Sequence, residues 1–241
     1  MIDGYPSNHI VKPRSPRHPT AIFDEEYGSR FVRALGLASF DTHLQDFAGE
    51  TALVIGRYDR SEEMPDGRIH QEDMNQALGA HGNEKYQSHG GKVSLGRMSA
   101  IFSKRGDNDS LRRLLEATVL SVAVGNLDMH AKNVSVLHHL DGSATLAPIY
   151  DVVPLTHENN DGEMALAVNG TYLHRSINRR DLIAEATSWG MRRPEAIIDE
   201  ALATISETVE SEAPDPRAYA ELASDIARFC RNLTADKDAG D

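Results

Sequence analysis

A chain of 241 residues, 40% hydrophobic and 26% charged, has room for one large domain or two packed lobes of an ordinary soluble kind. A net charge of −12 argues against a direct grip on nucleic acid, because phosphate backbones need a positive stripe. No apolar run approaches the length of a membrane span, so a cytoplasmic protein with no membrane partner is expected. The single cysteine, Cys230, excludes an internal disulfide and a thiolate metal site and is expected to be buried and inert.

The chain opens with a short strand, His9–Lys12, stopped by Pro13; with Pro16 and Pro19 it forbids regular structure to about Phe23. Lys12, Arg14 and Arg17 make a local basic cluster here, suited to phosphates or to an acidic partner surface. A helix follows to Leu35, with Asp24 as N-cap, Tyr27, Phe31, Ala34 and Leu35 on its apolar face, and Gly36 behind it. The β-formers of Thr51–Tyr58 and the turn chemistry of Met64-Pro65-Asp66-Gly67, which leads to Arg68–His70, predict a hairpin. Glu72–Leu78 reads as a helix ended by Gly79, and Leu111–Val124 as a buried helix ended by Gly125. Val134–His138 and Thr145–Tyr150 read as strands about the turn Asp141-Gly142. Arg179–Ser188, Pro194–Ser211 and Pro216–Leu233 close the chain as helices, the last with Asp215 as N-cap. Thr234–Asp241 is polar and is expected to be a disordered tail. The expected organisation is thus a small strand-bearing piece, residues 1–60, before a helical remainder, 61–233.

Chemistry concentrates on Gly125-Asn126-Leu127-Asp128-Met129-His130-Ala131-Lys132-Asn133. A buried helix ends at a glycine; an aspartate follows, and an asparagine stands five residues after it. Phosphoryl transfer from a magnesium nucleotide needs a carboxylate near the acceptor hydroxyl, oxygen ligands for the ion and cations on the phosphates. The spacing Asp128-x-x-x-x-Asn133 fits the first two, and Asp151, directly after Leu146–Tyr150, supplies a second hard oxygen ligand. Taken singly, these residues are ordinary turn formers. The ordered combination of helix end, Asp, Asn, hairpin and Tyr-Asp is what carries the signal. His138, His139, His157 and His174 show no repeated spacing that predicts a zinc site.

Asn126–Asn133, followed by Leu146-Ala147-Pro148-Ile149-Tyr150-Asp151-Val152-Val153-Pro154, resembles the signature of the HipA-like serine/threonine kinases, toxins of bacterial toxin–antitoxin pairs. Further matches stand in order at Arg57-Tyr58-Asp59-Arg60, His70-Gln71-Glu72-Asp73, Gln76-Ala77-Leu78-Gly79 and Lys85-Tyr86, and His9–Pro13 resembles the family's lysine strand. The resemblance implies an α+β, protein-kinase-like fold related to the PI3/4-kinases, with a truncated small lobe and a mainly helical large lobe. It implies Asp128 as catalytic base, and Asn133 and Asp151 as ligands of Mg2+. Lys12 would contact the ATP phosphates with Glu26 as its ion-pair partner. Val54, Arg57 and Tyr58 would lie in the hinge beside the adenine, and His130 would shape the ATP site from the catalytic loop.

Family members run to roughly twice this length and carry a glycine-rich loop before the lysine strand; Met1–Asn8 holds one glycine. The resemblance therefore leads to the expectation of an N-terminally truncated kinase whose loop comes from a companion chain, a misassigned start or a trimmed sequence. Its partners would be a DNA-binding antitoxin and a protein substrate, of which an aminoacyl-tRNA synthetase is the class the family offers. A non-catalytic module that docks an antitoxin or companion chain is the alternative.

Overall fold

Strand β3 (Glu50–Gly56) has no free edge: it pairs antiparallel with β1 (His9–Pro13) on one side and β2 (Thr42–Phe47) on the other. The computed structural model describes residues 7–64, 66–80, 87 and 92–241. β2 takes the place of the strand expected at 68–70. Ala48 and Gly49, with φ of 53° and 94°, make the two-residue turn whose twist matches the flanking strands. Of the expected hairpin the described residues keep one bridge, between Arg60 and Arg68, and Pro65 of its turn lies outside them. Alternation along the strands puts Ile10 and Lys12 of β1 on the same face as Leu53 and Ile55 of β3, and Val11 and Val54 on the other.

Helix α1 (Ala21–Ala34) starts three residues before Asp24, with Thr20 at its N-cap. Phe23, Tyr27 and Phe31 recur every four residues on one face and are fully buried, with Tyr27 edge-on to Phe31 at 4.8 Å. Each such side chain contributes roughly 1.5–3 kcal/mol by leaving water. This face packs on β2 and β3 and also on helices α4 (Asn108–Val124) and α6 (Glu195–Ser211), so the apolar core crosses the expected boundary at residue 60 without a seam.

A second sheet, in the order β4 (His70–Asp73), β5 (Ser135–His138), β6 (Ala144–Leu146), carries the central hairpin. The helix expected over Glu72–Leu78 is shorter. Asp73 ends β4, caps α2 (Met74–Ala77) and forms a capping box with Gln76. Helix α3 (Leu95–Ser103) packs on α4, whose side chains are buried nearly all round from Leu114 to Val124. Gly125 ends α4 in the left-handed conformation, φ 70°, where a β-carbon would lie 2.6 Å from the Thr156 side chain.

Beyond a hairpin of β7 (Glu163–Val168) and β8 (Thr171–Leu173) come α5 (Arg179–Ser188), α6 and α7 (Leu222–Thr234). The last helix begins later than expected, at an N-cap Glu221, because Asp215 is held instead by the guanidinium of Arg217 at 2.9 Å on both of its oxygens. Residues 234–241 are docked and not a loose tail. Ala239 is buried, its N–H donates to Ile177 O at 2.9 Å, and Asn232 Nδ2 donates to the carbonyls of Ala239 and Asp241. Cys230 is buried as expected, and burial pushes its thiol up to about 12. Among the described residues, no helix is long and apolar enough to cross a membrane.

Candidate active site

The two sheets and α1 enclose a cleft of about 650 Å³. Ile10 and Lys12 come from β1, Glu25 from α1, Ile55 and Gly56 from β3, and Gln71 and Asp73 from β4. Phe40, the segment Arg57–Arg60, Lys132, Tyr150 and Asp151 complete its polar and aromatic wall.

Lys12 is the hinge of its charge pattern. Its Nζ lies 2.7 Å from Glu25 Oε1 and 2.6 Å from Asp151 Oδ1, joining residues 139 apart in sequence. Burial opposes the charge on Lys12, yet the two carboxylates together hold its pKa above the ordinary lysine value. Glu25 is also raised: burial is the largest cause, the Lys12 ammonium opposes it, and the facing charge of Asp151 adds to it. One ammonium therefore serves two carboxylates, a cluster with surplus negative charge. Asp151 adopts φ 58°, a left-handed conformation that costs a residue with a β-carbon about 1–2 kcal/mol.

A chain of hydrogen bonds frames the opposite wall. Tyr58 Oη donates to Gln71 Oε1 at 2.8 Å, Gln71 Nε2 donates to Ser135 Oγ at 3.0 Å, and Ser135 Oγ meets Tyr150 Oη at 2.6 Å. Tyr150 Oη donates to the Lys132 carbonyl at 2.8 Å, which ties the segment bearing Asp151 to the Asp128–Asn133 loop; the strand expected over Thr145–Tyr150 ends at Leu146, so Asp151 follows irregular backbone. The two tyrosine rings stack at 6.1 Å, and Phe40 lies 5.6 Å from Tyr58. Burial pushes both phenols up, Tyr150 to about 12.

Within that loop the backbone of Asp128 is clamped. Its N–H donates to Asn126 Oδ1 at 3.3 Å, and its carbonyl accepts from His130 N–H at 2.7 Å and Asn133 Nδ2 at 2.9 Å. The Asp128 carboxylate is left half exposed, 4.0 Å from His130 Nε2. Met74 N–H, at the start of α2, donates to the carbonyls of Ala131 and Val134, both at 2.9 Å, and so anchors the loop from behind.

A model of the HipA-like C-terminal domain matches residues 2–212. The chain belongs to this family. Among curated HipA-like relatives, a putative kinase Y4mE of Sinorhizobium fredii is 36% identical over 157 residues, which is 63% of this chain and 37% of that protein. The chain spans less than half the length of the curated relatives it matches. Among solved structures, HipA of Shewanella oneidensis, determined with HipB and operator DNA, aligns with a TM-score of 0.75 and 24% identity over 95% of this chain and 57% of its own. The Helicobacter pylori proinflammatory kinase CtkA aligns with a TM-score of 0.62 and 13% identity, over 97% of this chain and 89% of its own. The fold is the α+β architecture of these kinases.

The HipA-like site differs from the sequence expectation at several positions. The partner of Lys12 is Glu25, not Glu26. Because α1 begins at Ala21, Glu25 faces β1, while Glu26 lies a hundred degrees round the helix and takes the Arg30 guanidinium through two bonds of 2.9 and 2.8 Å. Val54 is buried on the far face of β3 and does not line the cleft; Ile55 does. Arg57 lines it with its guanidinium already engaged by both oxygens of Asp59, at 2.9 and 2.7 Å. The backbone N–H groups of Gly56 and Arg57 are also committed, to the carbonyls of Asp41 and Asn8. His130 is buried behind the loop, off the cleft, and braces Asp128. Gln71, Lys132 and Tyr150 were not foreseen as site residues, although the Tyr-Asp pair at 150–151 held the clue.

Proposed function

We propose that this chain forms the nucleotide-handling and phosphoryl-transfer core of a HipA-like serine/threonine kinase, moving the γ-phosphate of ATP to a protein hydroxyl. The observation that carries this reading is Lys12 held between Glu25 and Asp151 in a cleft that also presents an apolar and aromatic patch among its polar residues. Ile10, Ile55, Phe40 and Tyr58 offer a surface for a purine, and Lys12, fixed by Glu25, offers its ammonium to phosphate oxygens.

The residues present fit Mg2+. Asn133 commits its amide nitrogen to the Asp128 carbonyl, which leaves Oδ1 as a ligand, and Asp151 adds a carboxylate; both are the hard oxygens this ion prefers. When bound, the ion would neutralise charge on the phosphates. Asp128, its backbone clamped on both sides and its side chain half-exposed, orients the acceptor hydroxyl and accepts its proton as the new O–P bond forms and the bond to ADP breaks. By analogy with the Shewanella protein, the chain would act as a toxin restrained by a DNA-binding antitoxin, with a protein as substrate.

Transfer of labelled γ-phosphate, in the presence of Mg2+, from ATP to the chain or to protein from a lysate tests the reading. Incorporation that disappears in Asp128→Asn, with a Mg-ATP-dependent rise in melting temperature lost in Asp151→Asn, is the expected result. No melting shift with Mg-ATP and no incorporation would sink it and favour a non-catalytic binding module.

A further inference from the structure

We propose that His70, Glu72 and His138 form a further metal site at the edge of the cleft, which His70 also lines, one for a borderline transition ion of the Zn2+ type. β4 and β5 run antiparallel with His70 directly opposite His138, and Glu72 stands two residues from His70, hence on the same face of β4. The two imidazole rings lie 5.0 Å apart, inclined by 38°. His138 Nε2 is 2.7 Å from Glu72 Oε2, and one ligand atom from each of the three residues falls within 4.8 Å of the others. A tetrahedral ion with bonds of about 2.0–2.2 Å sets its ligand atoms roughly 3.4 Å apart. The observed separations bracket that value, so small side-chain rotations would close the three groups round an ion.

The chemistry of the donor set selects the ion. Two imidazoles and one carboxylate suit Zn2+ and its neighbours in the first transition series, whereas Mg2+ prefers oxygens alone. The Glu72 and His138 side chains are each 36% exposed, so the site is open to solvent and a water would complete the coordination. Geometry also says what the ion would do. Gln71, between His70 and Glu72, projects from the other face of β4 and bonds Tyr58 and Ser135. An ion fastening β4 to β5 through these residues would stiffen the strand pair that carries part of the cleft wall. This inference stands apart from the kinase reading.

The test is titration of the metal-stripped full chain with Zn2+ against a chromophoric chelator, and with Co2+ followed by its visible absorption. One equivalent is expected to bind, to raise the melting temperature, and to resist excess Mg2+. Glu72→Gln and His138→Ala should each weaken binding at least about tenfold, since even outer partners of metal ligands cost 10–100-fold. His139→Ala, whose ring bonds Thr145 Oγ1 at 2.9 Å, should leave binding unchanged. Should His138→Ala fail to fold, His70→Ala at its exposed position reads the same ligand loss. Binding that survives these ligand variants, or the absence of stoichiometric binding, overturns the proposal.

Discussion

Gly28 of α1 is pressed against the carbonyl of Val152 so closely that a β-carbon on it would fall inside the van der Waals shell of that oxygen. The contact brings the backbone just after Asp151 against the helix that carries Glu25 one turn earlier, and so sets the distance across which Lys12 bridges the two carboxylates. Gly28→Ala should therefore force α1 and the Asp151 segment apart. We expect a loss of about 1–3 kcal/mol in urea unfolding, the usual cost of overpacking. Gly96, helical in α3 with nothing near its missing β-carbon, is the control. Gly96→Ala should gain about 0.5–1 kcal/mol, because glycine inside a helix is costly. Equal effects at both positions would contradict the close approach.

Lys12 predicts a pH dependence. Its pKa is raised in the folded chain above the ordinary lysine value of 10.5, so the native state holds the proton more tightly than the unfolded one. The stability this contributes is fully present below 10.5 and is lost as pH rises through the folded value. Thermal melts of wild type and Lys12→Met should show a constant gap from neutral to mildly alkaline pH, narrowing only above that point. A gap that closes near neutrality would show that the ammonium is not what holds Glu25 and Asp151.

How far these features could be read in advance depended on whether local or distant residues decided them. Leu111–Val124 and its glycine stop were legible because apolar periodicity and a left-handed cap are properties of one segment. The same holds for α5, found where the sequence placed it. β2 was not legible because Thr42–Phe47 mixes polar and apolar residues and turns through Ala48-Gly49, a weaker signal than the Asn169-Gly170 of the β7–β8 hairpin. Glu25 and Glu26 could not be told apart because the choice depends on where α1 starts. Thr20, without a side-chain cap bond, starts it three residues before the more obvious Asp24. Asp24 is instead buried, accepting from Tyr219 N–H at 2.9 Å beside His157, a tertiary role with no local sign. The spacing of Asp128, Asn133 and Asp151 is a local property of the sequence, whereas the tie through Tyr150 needs residues 58, 71, 132 and 135 to meet in space.

Asp151 separates charge from backbone strain. Asparagine tolerates φ near 58° about as well as aspartate, so Asp151→Asn should change stability by less than about 1 kcal/mol beyond the loss of a half-exposed ion pair. Asp151→Ala keeps the β-carbon without the polar group that favours this conformation and should lose measurably more. If Asp151 serves as proposed, both variants abolish the Mg-ATP shift. Calorimetry of the three proteins with and without Mg-ATP distinguishes the two effects, and equal stability of the Asn and Ala variants would argue against a conformational role.

Tyr150→Phe tests whether the hydrogen-bonded wall positions the loop or merely fills space. The variant keeps the ring that stacks on Tyr58 and deletes the hydroxyl between Ser135 Oγ and the Lys132 carbonyl. Leaving that carbonyl without this donor, and Ser135 with only its bond from Gln71 Nε2, should cost about 1 kcal/mol in urea unfolding. The effect on function should be uneven. Lys12, Glu25 and the apolar wall are untouched, so the affinity for Mg-ATP in a melting titration should fall little. The loop bearing Asp128 and Asn133 loses its tie to the Asp151 segment, so, on the kinase reading, the rate of labelled-phosphate transfer should fall by an order of magnitude or more, as expected when reacting groups lose their alignment. Ser135→Ala removes the neighbouring bond but leaves Tyr150 on Lys132, and should lower transfer far less. A Tyr150→Phe protein with weakened nucleotide binding and unchanged transfer at saturation would place the hydroxyl in the nucleotide pocket and not in the alignment of the loop.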